Sequence, residues 1–244
     1  MYDPISTTCG NTLYKTIPEF YFKGKHIPIL PPKEGYRDYV NRKGWPLLVL
    51  QGVVDHLYRF RDISINFPGS CHDAVVFKNS NLFKRAHDLI PKGTSHIDGK
   101  DVPFFLLGDP AYPLLNWLQK PYIGVIDPQE ESFNCYLSSA RIIVENAFGR
   151  LKARWRCLLK RVDIQYSFVP KVVSACCVLH NIVETNKEKF LEQWLKAVVE
   201  ANIVIPQPTS YVKKESCSDA KSIRDHLKQY MAKNFPLRKS AFRQ

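Results

Sequence analysis

Residues 104–109, FFLLGD, and residues 137–155, LSSARIIVENAFGRLKARW, decide how this chain is read. Phe104 to Leu107 is an apolar run of strand length, and it delivers an acid in Gly108-Asp109-Pro110. After a proline-punctuated loop, Leu137 to Lys152 reads as a long amphipathic helix, because Val144, Phe148, Leu151, Trp155 and Leu158 recur at helical spacing. Glu145 sits beside that stripe, at the edge of the core. An acid at the end of a buried strand and another on a packed helix can meet in space. Two such carboxylates supply the oxygen ligands that a divalent cation needs. A plainer reading stands beside this one: Arg141 precedes Glu145 by four residues, the spacing of a surface ion pair.

Working outward, Phe20 to Leu30 reads as a strand that ends at Pro31-Pro32. Trp45 to Asp55 is a second, strongly apolar strand. Tyr58 to Asn66 is a third, with Phe60, Asp62 and Ser64 expected on one face and Arg61, Ile63 and Ile65 on the other. His56-Leu57 joins the two as a hairpin. Asp73 to Lys84 reads as a helix with Val76, Phe77, Leu82 and Phe83 inward, Pro91 to Asp101 as a polar loop, and Pro121 to Ile126 as a fifth strand. Phe168 to Glu184 reads as a helix with Val172, Cys176, Leu179 and Val183 on one stripe, and residues 187–200 as a further helix. The order of elements predicts an α/β fold whose mixed sheet has three antiparallel strands and then parallel strands, flanked by helices: an RNase H-like order. The expected organisation is a lead-in segment at 1–19, a domain at 20–183, and a helical, basic C-terminal extension at 184–244 with a linker near 203–219.

Composition narrows the function classes. The chain has 244 residues, 45% of them apolar, which supports a real core. Its 35 basic residues against 23 acidic give a net charge of +12, and a basic surface of that size favours polyanions, nucleic acid first. The seven cysteines are odd in number and scattered, which fits reduced thiols in the nucleus or cytosol. No run reaches the ~18–20 apolar residues expected of a membrane span, and no signal peptide is visible at the start.

Five segments together carry a resemblance: GKHIPI, NRKGWPLLVLQGVVD with RFRDI, PGSCHDAVVF, LLGDPAYPL, and the RIIVENAFGRLKARW helix, with ACCVLHN further on. In this order and spacing they resemble the DDE nuclease domain of PIF/Harbinger transposases and of host nucleases descended from them, over about residues 20–183. The resemblance implies a divalent cation, Mg²⁺ or Mn²⁺, held for phosphodiester hydrolysis. It implies metal-binding and catalytic roles for Asp73 in PGSCHD, Asp109 in LLGDPAY and Glu145 in RIIVENAF. It also implies DNA as the substrate and a separate DNA-binding partner protein; with the basic charge, the scattered cysteines and the lack of a long apolar run, the expected place of action is the nucleus or cytoplasm, with no membrane. The family usually carries an upstream helical DNA-binding region, which is not seen ahead of residue 20. One position departs from the family. Where its first strand carries an acid, in a pattern like IDGTHIPI, this chain has Lys23 in FKGKHIPI. Three explanations compete: a catalytically inactive domain kept for DNA or protein contacts, a mis-assigned beginning of the chain, or a substitute acid, of which Asp55 is the best candidate. Asp55 also reads as a turn residue at a strand end.

Seven Lys or Arg lie between Arg141 and Arg161, and among them Arg150, Lys152, Arg154 and Arg156 are the expected DNA-binding residues. A solvated helix face explains them equally well. Cys176, His180 and Glu184 share a helix face at the spacing of metal ligands, but a fourth ligand is missing nearby, so core or capping hydrogen bonds are expected of His180 and Asn181.

Overall fold

The computed structural model describes residues 20–124, 126–207 and 217–239. The lead-in segment and most of the expected linker lie outside the described residues.

Three strands open the domain: β1, Phe20–Pro28; β2, Leu47–Asp55; and β3, Phe60–Pro68. Every residue of β2 is buried, which explains why it reads as a continuous apolar run: both its faces are covered. Helix α1, Asp73–Asn79, follows, then a hairpin of β4, Thr94–Ile97, and β5, Lys100–Pro103. Strands β6, Leu106–Leu107, and β7, Leu118–Gln119, complete the sheet. Four longer helices come after it: α2, Pro128–Arg154; α3, Val169–Thr185; α4, Leu195–Val204; and α5, Ser218–Asn234. The sheet runs β3-β2-β1-β6-β7. β1 and β3 flank β2 antiparallel, while β6 joins β1, and β7 joins β6, in parallel. The mixed α/β sheet expected from the element order is therefore present.

Side-chain alternation along β1 divides the core into two layers. Tyr21 and Ile27 belong to the larger cluster, with Phe133, Val144, Phe148 and Leu151 of α2 and Val173 of α3. Phe22 turns the other way, to Phe77 of α1, Tyr112 and Leu118. Helices thus cover both faces.

Several expectations are corrected. The helix expected over 73–84 breaks at Ser80, whose hydroxyl donates to Phe77 O and accepts from Phe83 N, capping a separate turn at Asn81–Lys84. The loop expected at 91–101 contains the β4–β5 hairpin, turned by Asp98 and Gly99 at φ 45° and 82°. Phe104 lies outside the sheet and is 41% exposed. The fifth strand is Leu118–Gln119 and not Pro121–Ile126; Tyr122 N donates to the Asn134 side chain at 2.8 Å and not to a strand. A bulge in the β2–β3 ladder beside Val53 breaks the alternation of β3, so Phe60 and Ile63 both meet the α2 layer. The buried face of α3 carries Val173, Cys176, Cys177 and His180, and Leu179 is exposed.

The stretch Tyr166–Thr185 has a mean hydropathy of 1.3 and is long and apolar enough to cross a membrane, contrary to the expectation that no run reaches that length. In the C-terminal extension α5 buries Ala220, Ile223, Leu227 and Met231, and it packs along α2. Tyr136 OH donates to Pro236 O at 2.8 Å, and Arg238 N donates to Ser132 Oγ at 2.9 Å, fastening the segment after α5 to the first half of α2.

Candidate carboxylate site

Residues 23–25 of β1 are the centre of the site. Strand alternation sends Lys23 and Lys25 to the α2 layer and Gly24 to the α1 layer. β6 lies parallel beside β1, with Tyr21 opposite Leu107, and its continuation brings Asp109 next to Lys23. Glu145 faces the same point from α2. The Lys23 ammonium pairs with Glu145 and also lies 3.7 Å from Asp109 Oδ2. Lys25 Nζ is 3.0 Å from Glu145 Oε2, and Arg141 Nη2 is 2.5 Å from Asp109 Oδ1. Arg141 is thus a partner of Asp109, where the helix spacing alone had offered it to Glu145.

Three cations surround these acids in a half-buried setting. Burial lowers the Lys23 pKa; Asp109 opposes that shift and Arg141 reinforces it. Burial, with the neighbouring Lys23 charge, brings Lys25 down to about 8. Behind them Lys152 is almost wholly buried and donates to His26 O at 2.9 Å, and burial brings its pKa down to about 7. The same burial, next to Lys152, brings His26 down to about 4.

Asp73 reaches β1 from the other face. A Cβ on Gly24 would lie 3.1 Å from Asp73 Oδ1 and 3.3 Å from Tyr112 OH, so a side chain there would make both groups draw back by a few tenths of an ångström. Gln51 Nε2 donates to Asp73 O at 3.0 Å and reaches Tyr112 OH at 3.5 Å. Tyr112 is fully buried, and burial, with Asp73 and Asp109 nearby, pushes its hydroxyl pKa well up. Gly24, Gln51 and Tyr112 went unnoticed in the sequence. The only sign of this cradle there is a glycine in the middle of an otherwise bulky strand.

All three expected acids therefore gather around residues 23–25, Asp109 and Glu145 against Lys23 and Asp73 against Gly24, from where its charge also reaches Lys23. Among the described residues no group of three His, Cys, Asp or Glu is placed to hold a metal ion. The donor set itself does not fit a pair of divalent ions, because Lys23, Lys25 and Arg141 already neutralise the two carboxylates on the α2 side.

The other candidates have different occupations. Asp55 is buried and binds its own hairpin: it accepts from Leu57 N, Arg59 N and the Arg59 and Arg61 guanidinium groups at 2.8–3.0 Å. It stands opposite Phe20, three residues along the strand from Lys23, in the role of a strand-end turn residue. Arg150 holds Glu184 through two bonds at 2.7 and 2.8 Å; Arg154 pairs with Glu184 as well, and both guanidiniums lie over Phe190. With Lys152 buried, only Arg156 of the four expected DNA contacts is exposed. His180 makes a 2.8 Å contact from Nε2 to Tyr58 O, and the Asn181 carboxamide accepts from Phe60 N and donates to Phe60 O, at 2.8 and 2.7 Å. Those are core hydrogen bonds, as expected of both residues.

The pattern of the DDE superfamily endonuclease family matches residues 22–181. "Protein ALP1-like" of Arabidopsis thaliana is 35% identical over 156 residues, 59% of this chain and 37% of that protein. "Putative nuclease HARBI1" of Bos taurus is 30% identical over 206 residues, 83% of this chain and 55% of that protein. The protein of the same name in Homo sapiens is 32% identical over 160 residues, 64% of this chain and 43% of that one. The chain thus spans about half, or less, of the length of these curated relatives. No solved structure matches.

Proposed function

Because the chain belongs to the DDE superfamily of endonucleases, in its Harbinger transposase-derived branch, we propose that it is a nuclease-like DNA-binding domain whose carboxylate site is closed by its own lysines. One observation carries this reading: the Lys23 ammonium lies between Asp109 and Glu145. Members of the superfamily are generally divalent-metal dependent. Here a metal ion would have to displace Lys23 or share its carboxylates with it. At ~4 Å and an effective dielectric near 20, each unit-charge repulsion is worth roughly 4 kcal/mol. Even a fraction of that weakens ion binding tenfold or more. The sheet order supports an RNase H-like fold, in which a central strand, its parallel neighbour and a packed helix each present one side chain to a common site. The net charge of +12 supports DNA as the ligand and the nucleus as the place of work.

A second reading keeps metal-dependent cleavage, with Asp109 and Glu145 as ligands and Asp73 assisting. Their gathering around residues 23–25 favours it. Comparing the chain with its Lys23→Asp variant separates the two. Under the first reading the unmodified chain neither nicks supercoiled plasmid in Mg²⁺ or Mn²⁺ nor gains melting temperature from either ion, while it still binds DNA. Lys23→Asp melts lower in EDTA and regains several degrees with Mn²⁺. Nicking by the unmodified chain that disappears in Glu145→Gln would overthrow the first reading and establish the second.

A further inference from the structure

We propose that the slot along the outer edge of β3 binds an extended peptide, alternately apolar and acidic, by strand addition. β3 ends the sheet, so one side of its backbone faces away from β2. Such an edge is a template for another strand unless it is blunted by lysine, proline or cover. At Phe60 it is covered: the Asn181 carboxamide bonds both the N–H and the C=O, standing in for a neighbouring strand. Further on, among the described residues, no other strand pairs with the edge. Ile63 to Phe67 line a slot of about 430 Å³; this stretch holds neither lysine nor proline, Pro68 closes it, and a register shift against β2 falls opposite Leu50, between Ser64 and Phe67. Five residues of strand span ~16 Å, room for a peptide of similar length.

The lips of the slot set the chemistry of the occupant. On one side stand Asn79, the last residue of α1, and Asn81 and Lys84 of the turn after it; on the other, Pro170 and Ser174 of α3. Ile63 and Ile65 belong to the layer beneath α2 and α3, whereas Ser64 stands opposite Gln51, on the face that carries α1. An added strand has the same period of two, which β3 keeps from Asp62 to Ile65, ahead of that shift. It therefore turns one set of side chains to the isoleucine side and the other to the amides and Lys84. Lys84 is the only charged group among the described residues lining the slot, so the second set is acidic or polar. The Asn81 amide can bond the far edge of the peptide, as Asn181 bonds Phe60, whereas Asn79 Nδ2 donates to Val75 O at 3.0 Å.

This proposal is independent of the carboxylate site, and its test uses the full chain. The probe is a fluorescein-labelled octapeptide alternating Val and Glu. Its controls are the same peptide with N-methylated valines, which lack those backbone donors, and an octapeptide alternating Val and Lys. Saturable binding by anisotropy is expected for the Val-Glu peptide, with slowed amide exchange confined to Ile63–Phe67. Lys84→Glu, at an exposed position, is expected to weaken that peptide about fivefold and to strengthen the Val-Lys peptide in turn. Equal binding of the N-methylated peptide, or protection elsewhere, would overturn strand addition. Slowing of the same amides as the protein alone is concentrated would overturn the choice of occupant, since a second copy would then fill the slot.

Discussion

Lys152 occupies a position that suits an apolar side chain. Burial pulls its pKa from 10.5 to about 7, so the unfolded chain holds this proton more tightly than the native one. Stability from this group is therefore lost progressively as pH falls from about 10.5 to about 7. Lys152→Met removes that loss and gives up one hydrogen bond to His26 O. A net gain of about 1–3 kcal/mol is expected at pH 6–7, shrinking toward pH 10, in urea titrations across that range. His26 and His180 work in the other window. Burial lowers both from 6.5 to about 4, so their native environments contribute fully above about pH 6.5 and lose that contribution as pH falls toward 4. His180→Gln is expected to flatten the fall in melting temperature between pH 6.5 and 4; an unchanged slope would assign the acid sensitivity elsewhere. At this scale the sequence was partly legible. Lys152 follows Phe148 by four, on the apolar stripe, yet its charge argued for solvent. Lys23 stood out as a departure at once. That it touches both Asp109 and Glu145 depended on the pairing of β1 with β6, which no local pattern specifies.

Elements were legible where their signals were local and long. β1, β2 and α2 followed from apolar runs and helical spacing. The start of α2 did not, although Asp127-Pro128-Gln129-Glu130 is a capping box: Asp127 accepts from Glu130 N at 2.7 Å, and Glu130 accepts from Asp127 N at 3.2 Å. Asp127→Ala is expected to cost about 0.5–2 kcal/mol, measured by chemical denaturation. The Asp98-Gly99 pair is the sequence signature of a two-residue hairpin, hidden here because β4 and β5 are polar and mostly outside the core. β7 is only two residues long, too short for any period to appear. Asn181 shows how one side chain can finish an element. Asn181→Ala leaves both polar groups of Phe60 without that partner and is expected to cost about 1–3 kcal/mol, with faster amide exchange at Phe60. A change of a few tenths would mean that water replaces the clamp.

For the molecule as a whole, net charge pointed to a polyanion but not to which cations face it. Arg150 and Arg154 are spent on Glu184, whereas Arg156 and Lys160 are exposed. Arg156→Ala and Lys160→Ala are each expected to flatten the slope of log K for DNA against log salt by up to ~0.9. Arg150→Ala and Arg154→Ala are expected to lower the melting temperature and leave that slope alone. The reverse outcome would put the internal arginines on the DNA. Fold class was legible because apolar runs and helical spacing gave the order of strands and helices; the fastening of the C-terminal segment was not, because it joins residues about a hundred positions apart. That fastening sets a timetable for the ribosome. β1, β2 and the second half of α2 can assemble as soon as they emerge, but Phe133, Tyr136 and Leu137 wait for Leu227, Met231 and Pro236. At 5–20 residues per second the interval is roughly 5–20 s, during which the nascent chain shows an uncovered apolar ridge to whatever chaperone stands at the exit tunnel.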